Sequence, residues 1–181
     1  MIGSGNIGAT NITRILGIKF GFISFLFDFS KGFLPFFLGG IFFPQLPKDI
    51  LLLISSVSII GHDFSPFLSF KGGKGIGTTF GLAIIFHYPS ALLVLILWFF
   101  IIFLTGYVSL ASIIGICLLP LLYYIFGSIS IHPLNLLFTQ YSFFFALFFS
   151  LLGIFQHRSN IARLYLHKEK VSFSKNFLKN K

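Results

Sequence analysis

The sequence predicts an all-α, polytopic integral membrane bundle of about six helices, a single domain over residues 1–181. Three observations carry that expectation. Hydrophobic residues make up 56% of the chain and charged ones 9%, against about 25% charged in an average soluble domain. No Asp, Glu, Lys or Arg occurs from Gly75 to Gln156, a run far longer than the roughly 20 apolar residues that one crossing needs. The period-2 alternation of a membrane barrel strand is absent, so the crossings are helices.

The chain opens on a polar, glycine-rich stretch, Gly3 to Arg14 (GSGNIGATNITR), without the charged leader of a signal peptide. An apolar segment at about 15–41 follows, carrying Asp28 and Lys31 on one helical face. Charge inside a membrane is costly and often functional. The pair is therefore either functional or a structural pair in the half nearer the cytoplasm. A turn around Pro44 to Asp49 leads to a segment at about 50–62, which runs into a second polar cluster, Gly61 to Gly75 (GHDFSPFLSFKGGKG). Segments at about 75–88, 90–105 and 108–127 are separated by turns at Tyr88–Pro89 and Thr105–Ser109. A loop from Gly127 to Asn135 precedes the last segment, at about 138–156, and the third cluster, His157 to Leu164 (HRSNIARL).

The net charge of +9 is concentrated at the end of the chain, in Arg158, Arg163, Lys168, Lys170, Lys175, Lys179 and Lys181. Beside membrane helices this marks residues 157–181 as a cytoplasmic basic segment near anionic lipid headgroups, and not a nucleic-acid tail. Six crossings starting from a cytoplasmic first cluster bring all three clusters to the cytoplasmic face. Lys48 is then the one Lys or Arg in an outer loop. The single Cys117 builds neither a disulfide framework nor a metal site, and no cofactor or metal is expected.

The clusters carry the chemistry. Gly3-Ser4-Gly5-Asn6-Ile7-Gly8 matches the dinucleotide pattern GxGxxG, but no strand precedes it, so that reading fails. Its glycines allow a backbone that points N–H groups at one anion. Ser4, Asn6, Thr10 and Asn11 add neutral donors, and Arg14 can grip phosphate oxygens in bidentate fashion. A plain helix cap needs only one such residue. In the second cluster Lys71 and Lys74 offer ammonium groups on a loop with Gly72, Gly73 and Gly75, and Ser65 adds a hydroxyl. No Ser or Thr follows Lys74, so this is not a P-loop. His62 is a general base, a hydrogen-bond donor to a phosphate or a helix cap. In the third cluster Asn160 and Arg163 share a helical face beside His157 and Arg158.

In this order and spacing the three clusters resemble the bacterial acyl-phosphate-dependent glycerol-3-phosphate acyltransferase (PlsY) family. GSGNIGATNITR is similar to its first motif, GHDFSPFLSFKGGKGIGT to its second, and HRSNIARL followed by Glu169 to its third. Gly21, Asp28, Lys31, Gly32 and Pro35 resemble its following helix. The resemblance implies transfer of an acyl group from acyl-phosphate to the sn-1 hydroxyl of glycerol 3-phosphate, giving lysophosphatidic acid and phosphate. This is the first acylation step of phospholipid synthesis, at the bacterial inner membrane. It implies that Ser4, Gly5, Thr10 and Asn160 hold the acyl-phosphate and that Arg14 and Lys74 orient glycerol 3-phosphate. Gly3, Asn6, Gly8, Asn11, His62, Ser65, Lys71, Gly72, Gly73, Gly75, His157, Arg158 and Arg163 would complete the substrate site. The partners implied are those two substrates, membrane lipids and an acyl-phosphate-forming enzyme, with no nucleic acid.

Two departures accompany the resemblance. The family has seven helices, the first of them ahead of the first motif, and the sequence opens directly on that motif, so the first helix is expected to be missing. The third motif has Gly two residues before its Glu, where this chain has His167. The rival readings are a transporter or channel for a phosphorylated solute, with the clusters as its anion gate, and an inactive truncated paralogue.

Overall fold

The computed structural model describes residues 5–127 and 141–171, and every regular element among them is helical. In chain order these are α1 (Ala9–Leu16), α2 (Ile18–Phe42), α3 (Lys48–Asp63) with a 3-10 turn (Pro66–Leu68), α4 (Ile76–Phe86), α5 (Tyr88–Thr105), α6 (Val108–Gly127), α7 (Ser142–Gln156) and α8 (Arg158–Tyr165). Gly3, Ser4, His132, Lys175, Lys179, Lys181 and most of the Gly127–Asn135 loop lie outside the described residues.

The first apolar run, read from the sequence as one segment, is divided at Gly17. Its φ of 91° and ψ of 170° belong to a region essentially restricted to glycine. The turn folds α1 back along α2, so closely that a Cβ on Gly21 would strike the Thr13 hydroxyl. Farther along α2, a Cβ on Gly32 would meet the Thr78 carbonyl of α4, and one on Gly81 would meet the Phe29 carbonyl. Small residues at both positions let the two backbones touch, as is common between membrane helices.

A layer of Phe36, Leu52, Ile59, Leu82, Phe86, Leu119 and Phe149 forms the core where α2, α3, α4, α6 and α7 meet. Three polar side chains in and beside it find partners on other helices. Tyr123 Oη donates to the Ala83 carbonyl at 3.0 Å, Ser150 Oγ to the Ile116 carbonyl at 2.5 Å, and Trp98 Nε1 to Ser112 Oγ at 3.1 Å. The outer faces are apolar: Phe103 is 74% exposed and Ile96 68%. Such a surface requires lipid around it.

Four helical stretches are long and apolar enough to cross a membrane: Ile18–Phe42, Lys48–Leu68, Tyr88–Thr105 and Val108–Phe126. The remaining two apolar runs, α4 and α7, are helical but shorter. The 11 residues of α4 extend about 16 Å at 1.5 Å per residue, roughly half the hydrocarbon thickness. Counting apolar runs therefore finds the right six helices, two of them shorter than the other four. The reason is local: Gly75, at φ 69°, starts α4 late. His87 ends it and caps α5, its Nδ1 accepting from the Ser90 amide at 3.3 Å.

Candidate active site

The three polar clusters, far apart in sequence, meet around one carboxylate. Glu169 is buried. Its Oε1 accepts from Ser109 Oγ at 2.9 Å and from Asn160 Nδ2 at 2.7 Å. Its Oε2 accepts from Arg163 Nε at 2.7 Å. Because the Asn160 amide nitrogen faces Glu169, its Oδ1 faces the other way and accepts from Lys74 Nζ. Arg14 reaches the same region from α1, its Nη2 donating to the Lys170 carbonyl at 3.1 Å. Motif one is thereby tied to the residues after α8, and motif two to α8 itself.

The electrostatics follow from this crowding. Arg14, Lys74 and Arg163 are close enough to act on one another and on Glu169. Burial, then the Arg163 cation, brings the Lys74 ammonium down to about 8, with Glu169 opposing and Arg14 adding. Burial also lowers Arg14, again against the pull of Glu169, although a guanidinium stays protonated. Burial pushes the Glu169 carboxyl up, but its hydrogen bonds from Arg163, Asn160 and Ser109 outweigh that and hold it below the usual glutamate value. Burial and the Lys74 cation bring His157 down to about 4. His157 is therefore neutral at pH 7, Nδ1 donating to the Gly153 carbonyl at 2.8 Å and Nε2 left as an acceptor.

The first motif forms the lip of this cluster. Gly5 has φ 73°, and Asn6 Oδ1 accepts from the Gly8 amide at 2.8 Å. Gly8 caps α1, which places Thr10 and the buried Asn11 in the first turn and Arg14 one turn on.

In the second motif the glycine amides are bonded to the end of α3. The Gly72 amide donates to the Asp63 carbonyl and the Gly73 amide to the His62 carbonyl, both at 3.1 Å. Each amide has one hydrogen, so these two point at α3 and not at an anion. A Cβ on Gly72 would strike the His62 carbonyl, and one on Gly73 the His62 imidazole. Glycine is needed there for close packing, and the motif contributes an ammonium, Lys74, on a braced loop. The Ser65 carbonyl accepts from Leu68 at 3.1 Å and Phe70 at 2.9 Å, and Lys71 is exposed on the outside of that turn.

In the third motif Arg158 turns away from the cluster. Its guanidinium lies 4.4 Å from the Phe155 ring centre and donates to the Phe155 carbonyl at 3.0 Å. His167 takes φ 53°, a left-handed position that favours glycine. The turn it makes, with the Lys168 amide on the Arg163 carbonyl at 2.7 Å, delivers Glu169 back to α8. Sequence reasoning placed neither Glu169 nor Ser109 in the site. A signal was present for Glu169, the one acidic residue after Asp63. Ser109 resembled every other serine in an apolar run.

Among the described residues no three His, Cys, Asp or Glu side chains gather as a metal site. The arrangement is suited to an anion: three cations, a neutral imidazole and an amide surround one carboxylate.

Comparison with known proteins gives the family and the fold. Residues 1–167 match a family model described as glycerol-3-phosphate acyltransferase. A glycerol-3-phosphate acyltransferase of Finegoldia magna is 39% identical over 170 residues, covering 92% of this chain and 78% of the relative. One from Phytoplasma australiense is 40% identical over 193 residues, covering 97% and 83%. The fold is similar to the crystal structure of PlsY, an integral membrane glycerol 3-phosphate acyltransferase, in its glycerol 3-phosphate form. The TM-score is 0.81 at 35% identity, over 99% of this chain and 84% of that one. A lysophosphatidic acid form of PlsY matches with TM-score 0.78 at 37% identity, over 93% and 81%.

Proposed function

We propose a reaction, a donor and a set of site residues from one premise: this chain belongs to the glycerol-3-phosphate acyltransferase family. It is a membrane acyltransferase that converts glycerol 3-phosphate to lysophosphatidic acid, and its donor is an acyl-phosphate. The observation that carries the reading is the excess of positive charge, Arg14, Lys74 and Arg163 around the single Glu169. Partly buried like charges repel, and an anion relieves them. Both substrates bring a phosphate.

Arg14 and Lys74 orient glycerol 3-phosphate, and Ser4, Gly5, Thr10 and Asn160 hold the phosphate of the donor. His157 and Arg163 shape the wall between them. The sn-1 oxygen attacks the acyl carbon. An ester C–O bond forms as the acyl C–O bond to phosphate breaks, and inorganic phosphate leaves. The hydroxyl proton passes to a phosphate oxygen of the donor, so no protein base is needed. The donor is an activated mixed anhydride, and the protein's contribution is alignment and a partly desolvated, cationic surface.

The site sits at the bilayer boundary, where one substrate supplies an acyl chain, on the cytoplasmic face of the bacterial inner membrane. An acyl-phosphate-forming enzyme would supply the donor. The absence of Lys, Arg, Asp and Glu between Lys74 and Arg158 leaves a transporter without a charged path through the later helices.

The test supplies membranes containing this chain with acyl-phosphate and labelled glycerol 3-phosphate. Lysophosphatidate should form, resist EDTA and vanish in Arg14→Ala. Activity with acyl-CoA alone would refute the donor assignment, and no product from acyl-phosphate would restore the inactive-paralogue reading.

A further inference from the structure

A carboxylate in a membrane helix is costly unless something holds it. Asp28, in α2, is buried, with its side chain 12% exposed. Its Oδ1 contacts Lys31 Nζ at 2.7 Å, but the Lys31 side chain is 51% exposed, and such pairs contribute little. The buried partner is His62, whose Nδ1 lies 3.4 Å from the same oxygen and whose side chain is 5% exposed. His62 in turn holds the loop that carries Lys74. Its carbonyl accepts from the Gly73 amide at 3.1 Å, and its imidazole fills the space where a Cβ on Gly73 would lie. Asp28 also packs on the first turn of α4, just beyond that loop, within 3.1 Å of a Cβ placed on Gly77.

We propose that Asp28 is a positioning residue for acyl transfer, acting through His62 to brace the Gly72–Gly73 backbone and so to fix where Lys74 presents its ammonium. The inference rests on the reading of Lys74 as a ligand for glycerol 3-phosphate. Neither Asp28 nor His62 joins the cationic cluster itself, and His62 Nε2 is directed at Gly73, leaving the imidazole as a support for the loop. Misplacement of a reacting partner by about 1 Å can cost on the order of 100-fold in rate, so a brace one residue from Lys74 has leverage on binding.

The experiment uses the full chain, purified, with Asp28→Asn, His62→Asn, His62→Ala, Gly73→Ala and the His62→Ala/Gly73→Ala pair. Asp28→Asn should raise KM for glycerol 3-phosphate at least about fivefold while leaving KM for acyl-phosphate within about twofold, a split that a general loss of structure would not give. His62→Asn, which keeps a nitrogen near Asp28, should fall between Asp28→Asn and His62→Ala. Removing the imidazole makes room for the Gly73 methyl, so the double variant should be clearly less impaired than the product of the two single effects. A readout independent of turnover is the rate at which an amine-acylating reagent modifies Lys74, followed by mass spectrometry. That rate should change at least about threefold in Asp28→Asn and His62→Ala as the amine leaves its partner Asn160. Unchanged Lys74 modification in both variants overturns the brace, whether or not the chain makes lysophosphatidate. So do an unchanged KM for glycerol 3-phosphate in an active Asp28→Asn variant and strictly additive effects in the His62–Gly73 cycle. A wild-type chain without acyl-phosphate-dependent activity, yet with altered Lys74 modification in the variants, overturns the functional reading alone.

Discussion

Replacing Glu169 with glutamine keeps the shape of the side chain and removes its charge, and the structure fixes what that costs. The two carboxylate oxygens accept three hydrogen bonds, from Ser109 and Asn160 on one and from Arg163 on the other. A glutamine offers one oxygen. If it keeps Ser109 and Asn160, its NH2 faces the Arg163 N–H, donor against donor. The charge-assisted bond so lost is worth about 1.5–3 kcal/mol, and because the Arg163 side chain is 38% exposed, solvent screening favours the lower part, about 2 kcal/mol. In a chain of this size that lowers the thermal midpoint by about 4–8 °C. There is a second, separable consequence. Lys74 is held at about 8 by burial against the opposing pull of Glu169. Without that carboxylate its ammonium deprotonates at lower pH. The alkaline limb of kcat/KM for glycerol 3-phosphate should therefore move toward acid by on the order of one pH unit. Both can be read on purified protein in detergent, by a melting curve and a pH–rate profile. A midpoint within about 1 °C of wild type, together with an unmoved alkaline limb, would refute the role given to Glu169.

Three further outcomes are expected. Arg14→Lys should remain at least about 100-fold below wild type in kcat/KM, because an ammonium cannot reproduce the guanidinium fork, and near-wild-type kinetics would remove Arg14 from phosphate binding. His167→Gly should stabilise by about 1 kcal/mol by relieving the left-handed turn, seen as a higher midpoint, and a lower midpoint would show that the His167 side chain contributes more than its backbone costs. His157 is depressed to about 4 from an ordinary 6.5, so the unfolded chain binds the extra proton between those values. The stability is fully present above pH 6.5 and is lost as pH falls toward 4; His157→Gln should flatten the midpoint over that window, and an unchanged slope would show that the imidazole is already charged.

Much of this architecture can be read from residue order alone, for reasons that also mark where reading stops. The apolar runs announce helices because a backbone in lipid must satisfy its own hydrogen bonds and the alternation of a barrel strand is absent. Arg14, Lys74, Asn160 and Arg163 stand out because polar residues have no place in such runs, and all four meet in the structure. Gly17 is harder. One glycine in an apolar stretch looks tolerable, and only its φ of 91° shows that two helices end there. Gly72 and Gly73 signal a special backbone but not its purpose. Composition cannot distinguish amides turned toward a phosphate from amides bonded to α3. Arg158 and Lys71 are cations in the right motifs whose side-chain directions are set by packing, one onto Phe155 and one into the open. Asp28 is visible as an intramembrane charge. Its link to Lys74 passes through His62, and a contact between two helices and a loop has no signature in spacing.

The return of the chain after α8 bears on how this protein is handled at the bench. Tyr165 closes α8, and a deletion designed to stop there would look harmless on any hydropathy plot. It would cut away the acceptor for Ser109, Asn160 and Arg163 and the carbonyl that Arg14 grips, and with it the carboxylate that acts on Arg14, Lys74 and Arg163. An affinity tag or fluorescent fusion must leave Glu169 and Lys170 in place, and a protease that cuts between Tyr165 and Glu169 should switch the protein off before it frees a single membrane helix.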